Sequence, residues 1–357
     1  MIVVGRVGSY PTTEFNTVGK YAFELSKHNS LKTFVFTPKY PGKPLENSNV
    51  REVRSYKVWA RRSFPQYPIL KQIAGFCWVI YMMLVQTKAI FYFAKKSTQV
   101  IHLHSQMYTL VAIWGRIMKK KVFLTFHGED YNNLIKSKLL QSLLFPYDSI
   151  FVISPIMKSG VEQWFKKDVI YTPNGVNRSI YRNLNQKRNK DILCVGSFKK
   201  VKRHSILMNG FANLIKANYF DKSRLILAGS GPLEKKLREQ ATELGISDKV
   251  IFTGNLSSSE LVQEYNKAML LVLISEREGF PKVILEGLSC GIKIASTKVG
   301  AVPEVLGERY PYYIEDLSPK GVGDLLFMAL NDQNDVYLEI EKYSWNALRE
   351  KIVKYYV

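Results

Sequence analysis

The sequence predicts an α/β chain of two consecutive doubly wound domains, each a parallel sheet covered by helices. Three observations carry that expectation. Short apolar runs alternate with longer amphipathic segments along the whole length, the pattern of successive βαβ units. The 357 residues exceed one ordinary core, and a composition of 46% apolar and 23% charged residues is globular. Two series of apolar runs follow one another, parted by the turn-rich break Thr172-Pro173-Asn174-Gly175.

In the first series strands are expected at residues 2–7, 33–37, 100–104, 122–126 and 150–153. In the second they are expected at 192–195, 225–228, 250–253, 270–274 and 292–296. The first domain is placed at 1–172 and the second at 173–342. The tail 343–357 is amphipathic, with Trp345, Ile352 and Tyr356 as anchors of a last helix. Residues 73–85 are the nearest approach to a membrane span, well short of the ~20 apolar residues needed. Lys71 and Lys88 lie beside that stretch and 86–94 continues it. It reads equally as a core helix or as a helix lying in a membrane interface.

The 51 Lys and Arg outnumber the 30 Asp and Glu, for a formal charge of +21. Of that excess, +16 falls at or before Arg178 and only +5 after it. Uniform solubility charge does not explain this split. A negatively charged partner of the N-terminal half does, and the basic clusters 51–62 and 119–121 lie there. No helix-turn-helix, zinc or RNA-recognition signature favours a nucleic-acid binder. Cys77, Cys194 and Cys290 are far apart and lack metal-ligand spacing, which suits a reducing, cytosol-facing compartment. Residues 1–7 read as a strand rather than as a signal segment.

The chemistry concentrates in Ser275-Glu276-Arg277-Glu278-Gly279-Phe280-Pro281-Lys282-Val283-Ile284-Leu285-Glu286-Gly287. A strand ends there, Pro281 suits the first residue of a helix, and Gly291 supplies its stop. Amides of that first turn, around Lys282 and Val283, make a diphosphate site at the carboxyl end of the sheet. Glu278 before the helix and Glu286 inside it offer acceptors for sugar and ribose hydroxyls. Gly229-Ser230-Gly231-Pro232 is a turn that brings backbone close to a ligand. The loop from Gly196 to Arg203 brings Lys199, Lys200, Lys202 and Arg203 to the same edge for pyrophosphate pairing. His127 ends a strand in the first half. His102 and His104 share a strand face, but no third ligand completes a metal site. No Asp-x-Asp occurs to chelate a metal bridging a diphosphate.

The ordered string HGED, NGVN, VGSFKKVKR, AGSGP, FTGNL, EGFPKVILEGLSCG and VGAVPE resembles the retaining GT-B glycosyltransferases of family 4. The likeness covers almost the whole chain and is strongest from Asp191 to Val305. It implies two Rossmann-like domains facing across a cleft, with the last helix folded back onto the first. It implies hexosyl transfer, with retention and no metal or other cofactor, from a nucleotide-diphosphate sugar, UDP- or GDP-linked. Polysaccharide or glycoconjugate synthesis is expected, and the basic charge of the N-terminal half, the stretch 73–94 and the basic clusters point to a membrane-presented acceptor, a growing glycan on a polyprenyl-diphosphate or another lipid carrier.

By position, the resemblance gives Lys202 the diphosphate, Glu278 the transferred sugar and Glu286 the ribose. It gives Gly279, Phe280, Pro281, Lys282 and Val283 sugar and phosphate through backbone, and Asn255 and Leu256 the base. Ser197, Arg203, Ser230 and Gly231 complete the donor side. His127 contacts the sugar, while Asn16, Thr17, His104 and Asp130 form the acceptor side. Two positions depart from the family pattern. Ser197 stands where an Arg is frequent, and the first loop, 11–19, lacks paired glycines. A nucleotide-sugar epimerase shares the architecture but not the EGFPKVILEG segment. Location is expected at the inner face of the cell membrane, peripherally, through the basic N-terminal domain.

Overall fold

The computed structural model describes residues 1–7, 17–38, 48–56, 68–217, 220, 222–332 and 339–357, without the side chains of 17–20, 68–76 and 128–129. The chain divides into two compact units, Met1–Pro173 with Trp345–Val357, and Asn174–Ser344.

The first unit runs β1 (Ile2–Val7), α1 (Thr17–Ser26), β2 (Leu31–Pro38), β3 (Val50–Tyr56) and α2 (Pro68–Lys95). It continues with β4 (Val100–Leu103), α3 (Thr109–Ile117), β5 (Lys121–Phe126), α4 (Gly128–Leu134) and α5 (Lys138–Ser142). Then come β6 (Ser149–Val152), α6 (Pro155–Glu162) and β7 (Val169–Tyr171). Its strands lie parallel in the order β3-β2-β1-β4-β5-β6-β7, so the winding reverses between β1 and β4. The central strands are mostly apolar and buried on both faces, as a parallel sheet requires, with His102 and Thr125 as buried polar members.

One face is covered by α2 and α3. A Cβ at Gly5 would stand 2.8 Å from the Phe93 ring, which is how closely α2 approaches β1. The other face is covered by α1 and by the C-terminal helix (Trp345–Tyr356), whose Trp345, Leu348, Ile352 and Tyr356 belong to this core. Arg349 pairs with the nearly buried Glu24 at 3.3 Å and Lys351 donates to the Tyr171 carbonyl at 2.7 Å. The helix begins two residues later than the amphipathic tail predicts. Tyr343 and Ser344 instead close the second unit: the Tyr343 carbonyl accepts from Val176 N at 2.9 Å, and its hydroxyl donates to Glu304 at 3.1 Å.

Two strands escape the apolar-run criterion. β3, VREVRSY, is a charged edge strand with no fully buried residue, and β7 has only three residues. The apolar stretch 73–85 is continued by 86–94, as its sequence suggests. It lies within the single 28-residue helix α2, because Lys88 faces outward and leaves the helical register intact.

The second unit runs β8 (Asn189–Val195), α7 (His204–Lys216), β9 (Leu225–Ala228), α8 (Glu234–Glu243), β10 (Val250–Gly254) and α9 (Ser258–Lys267). β11 (Ala268–Leu273), α10 (Lys282–Ser289), β12 (Lys293–Ser296), α11 (Val302–Leu306) and α12 (Pro319–Asn331) follow. Its parallel order is β10-β9-β8-β11-β12, with the reversal between β8 and β11. Local chemistry sets the helix starts: Ser257 and Glu260 form a reciprocal capping box, and Ser318 caps a helix that opens on Pro319.

Candidate active site

In a doubly wound sheet, the loops that hold a ligand leave the carboxyl ends of the strands flanking the reversal. In the second unit these are 196–203 after β8 and 274–281 after β11. Backbone joins them, Glu276 N donating to the Val201 carbonyl at 2.8 Å. A 3-10 turn, Lys200–Lys202, aims the Lys202 ammonium at Glu278, Nζ to Oε1 2.5 Å. Ser275 Oγ donates to that same oxygen at 2.6 Å. Arg203 adopts the left-handed conformation (φ 52°) between the turn and α7, with its guanidinium 3.9 Å from Glu276. Lys202, Arg203, Glu278 and the start of α10 thus meet at one switch point.

α10 opens at Lys282, one residue after the expected start. Pro281 is its cap, with an extended backbone (ψ 104°), rather than its first helical residue. Gly291 (φ 72°) follows Cys290 and stops the helix. Glu286, in the helix's second turn, accepts from the Tyr265 hydroxyl at 3.1 Å. Burial, with Glu286 beside it, raises the Tyr265 pKa well above its usual value, so the hydroxyl stays a donor. The Gly279 carbonyl accepts from Ala301 N at 3.1 Å and the Phe280 carbonyl from Asn174 Nδ2 at 3.3 Å. Gly300 backs this turn (φ 55°), because a Cβ there would lie 2.3 Å from the Glu278 carbonyl oxygen.

The glycine turn 229–232 also packs against a neighbouring loop. A Cβ at Gly229 would stand 2.1 Å from the Gly196 carbonyl oxygen, and one at Gly231 2.7 Å from Phe198 backbone. Both glycines therefore admit the neighbouring loop, which is held by Phe198 N to the Ser230 carbonyl at 2.9 Å. α8 starts at Glu234, with Leu233 as its cap rather than its first residue. Ser230 Oγ donates to Asn255 Oδ1 at 3.1 Å, so 229–232 and 255–256 form one rim with Leu256 half-buried. Ser197 is half-buried, its carbonyl accepting from Lys199 N at 2.8 Å. Sequence reasoning assigned no role to Tyr265, Ser275 or Gly300. A glycine between two strands' loops was the available signal for Gly300, and the tyrosine had none.

In the first unit, His104 follows β4 and His127 follows β5 at the carboxyl edge, their rings stacked 5.9 Å apart. His102 lies beneath His104, 4.7 Å between centroids, and Tyr21 sets its edge against His104 and His127. Asp130 accepts from Ser105 Oγ at 3.0 Å. Asn16 and the Thr17 side chain lie outside the described residues. Neither ring nitrogen of His104 has a hydrogen-bond partner among the described residues. Arg6, fully buried, donates to His102 Nδ1 at 3.1 Å. Among the described residues no group of three or more His, Cys, Asp and Glu is placed to hold a metal.

Burial, and then the Arg6 charge, hold the His102 pKa well below the usual histidine range. For His104 burial again comes first, followed by His102 and Arg6. Both rings stay neutral when folded, whereas the unfolded chain protonates them below about pH 6.5. Their contribution is therefore complete above that pH and is lost as the pH falls toward the folded values. Each costs up to about 1.4 kcal/mol per pH unit over that interval. Denaturant midpoints of the wild type should fall steeply from pH 6.5 to 5, and the slope should shrink in His102→Gln/His104→Gln. An unchanged slope in the double variant would place the acid lability elsewhere.

A cavity of about 680 Å3 lies at the opposite, amino-terminal edge of the second sheet, lined in part by Arg188, Gly291 and Lys293. Its cations are committed to the fold: Arg188 donates to the Tyr265, Ala268 and Cys290 carbonyls, and Lys293 to Ala329 and Asp332.

Residues 177–344 match the family model for glycosyl transferases group 1, and residues 18–179 that for glycosyltransferase family 4. N-acetyl-alpha-D-glucosaminyl L-malate synthase of Bacillus anthracis is 24% identical over 260 residues, 67% of each chain. Alpha-monoglucosyldiacylglycerol synthase of Streptococcus pneumoniae is 25% identical over 334 residues, 81% of this chain and 70% of that one. In three further curated relatives the matched stretch spans 62%, 55% and 80% of their length. Anabaena Alr3699/HepE, solved with UDP-glucose, has the same fold at a TM-score of 0.66, with 14% identity over 98% of both chains. The chain is a glycosyltransferase and belongs to family 4 of the GT-B fold.

Proposed function

We propose that the protein transfers a sugar from a UDP-sugar, with retention and without a bound metal, to a hydroxyl of a lipid-linked glycan. One observation carries the donor side: Lys202 and Glu278 are held together at the switch point, beside the N-terminus of α10. Lys202, Arg203 and that helix end supply positive charge where a departing diphosphate develops negative charge. Ser197 leaves the clamp without a second guanidinium in that loop, and Arg203 is positioned to compensate.

UDP is favoured over other nucleotides because Anabaena HepE, of like fold, has been solved with UDP and with UDP-glucose. The name of the pneumococcal relative, alpha-monoglucosyldiacylglycerol synthase, supports a lipid-borne acceptor. In this mechanism the acceptor hydroxyl attacks from the side the diphosphate leaves and gives its proton to that phosphate. Glu278 acts as a hydroxyl acceptor rather than a nucleophile, because its Oε1 is already engaged by Lys202 and Ser275. Glu286 takes ribose hydroxyls, steadied by Tyr265.

A panel of nucleotide sugars assayed for sugar release, with the product anomer read by NMR, tests the reading. Release from a UDP-sugar with retained configuration is expected, at an unchanged rate in EDTA. Inversion, isomerised donor without free UDP, or activity lost in EDTA and restored by magnesium or manganese would each contradict part of it.

A further inference from the structure

The outer side of α2 is apolar, the reverse of a helix on the surface of a soluble domain. On a 3.6-residue period, Met82, Val85, Gln86, Ala89, Tyr92 and Phe93 share one side, and all are buried against the sheet. The opposite side presents Val79, Ile80, Met83, Leu84 and Phe91 to solvent, with Leu84 59% and Phe91 64% exposed. Thr87, Lys88 and Lys95 are the polar residues on that side. α3 lies alongside, its Leu110 N donating to Gln86 Oε1 at 2.9 Å, and it exposes Leu110, Ile117 and Met118. The two helices therefore present one apolar face larger than scattered surface residues would make.

Outside its ion pairs, the charge around this face is basic. Lys88, Lys95 and Lys119 are exposed at α2 and just past the end of α3, while the Lys121 ammonium is engaged by the Val357 oxygen. No acidic residue stands anywhere in the sequence between Glu52 and Glu129. Arg116 and Lys96 are paired with Asp148 and Glu52, so they are not counted here. An apolar face with a basic rim is the chemistry that lodges in an interface of anionic headgroups. A second copy of the chain, meeting the same patch by two-fold symmetry, would set lysines against lysines.

We propose that the outer face of α2 and α3 docks the protein on an anionic lipid bilayer, with α2 lying in the headgroup layer. By length and composition Cys77–Lys95 is apolar enough to cross a membrane. Its inner side, however, is the core of the first unit, with Gln86 bonded to α3, so it lies on the bilayer rather than through it. The inference rests on the lipid-linked acceptor proposed above for its purpose, since it brings the enzyme to the surface that carries such a substrate.

Co-sedimentation of the full chain with phosphatidylcholine vesicles, with and without phosphatidylglycerol, tests it. Binding is expected only with phosphatidylglycerol and should fall as salt rises. Leu84→Glu/Phe91→Glu and Lys88→Glu/Lys95→Glu/Lys119→Glu should each weaken it roughly tenfold or more. These side chains are exposed, so melting curves and sugar release from a soluble donor should stay near wild type. Indifference to phosphatidylglycerol, or full binding by Leu84→Glu/Phe91→Glu, overturns the proposal. So does self-association abolished by that variant in a protein that ignores vesicles, which gives the face to a second copy. A wild type that releases sugar yet ignores anionic vesicles sinks the docking alone, whereas a wild type that releases no sugar sinks the donor reading.

Discussion

Lys202→Ala is expected to lower kcat roughly 10²–10³-fold, about 2.7–4 kcal/mol, the cost of removing one preorganised group from a developing anion. Its ammonium is fixed by the turn Lys200–Lys202 and aimed at the switch point, whereas Lys199 and Lys200 are exposed beside it. Lys199→Ala should therefore change kcat less than about threefold, in keeping with the small worth of an exposed charge. Steady-state kinetics on the best donor, with folding checked by circular dichroism, decides between them. If Lys199 proves the critical lysine, the diphosphate lies elsewhere on the loop.

The second large effect concerns Glu278. Its carboxylate occupies Lys202 at 2.5 Å, so donor diphosphate and Glu278 compete for one ammonium. Both side chains are partly solvated, and screening reduces the pair to about 1 kcal/mol. Glu278→Gln should thus bind free UDP several-fold more tightly, because Lys202 loses its resident anion. The same change should lower kcat roughly 100-fold, since the reacting sugar loses a positioning acceptor. Glu286→Ala should act oppositely on affinity, weakening UDP by about 1.5–3 kcal/mol as the ribose loses a charged acceptor. Calorimetry with UDP, beside kcat for each variant, separates the two carboxylates. Matching changes in affinity and turnover would contradict their separate roles.

The alternation of apolar runs placed most strands within a few residues, and β1 and β9 fall where those runs begin and end. What it missed has a physical cause. β3 is an edge strand whose exposed positions carry charge, so no apolar run marks it. α2 also starts at Pro68, five residues before the apolar stretch, because a helix can begin in polar sequence that no apolar run marks. At the site, the segment from Ser275 to Glu286 was legible because strand end, proline and two carboxylates are local features. The packing of Gly229 and Gly231 against another loop was not, since that loop lies more than 25 residues away in the sequence. The Lys202–Glu278 pair joins residues 76 positions apart in the sequence, beyond the reach of any spacing rule.

Amide hydrogen exchange of the full chain with and without saturating UDP tests most directly where the nucleotide binds. Slowed exchange is expected in peptides covering 196–203 and 278–286, with Lys202→Ala diminishing the effect in both. Protection confined to the first unit, or a second unit whose loops exchange alike with and without UDP, would contradict the switch point between β8 and β11 as the donor site.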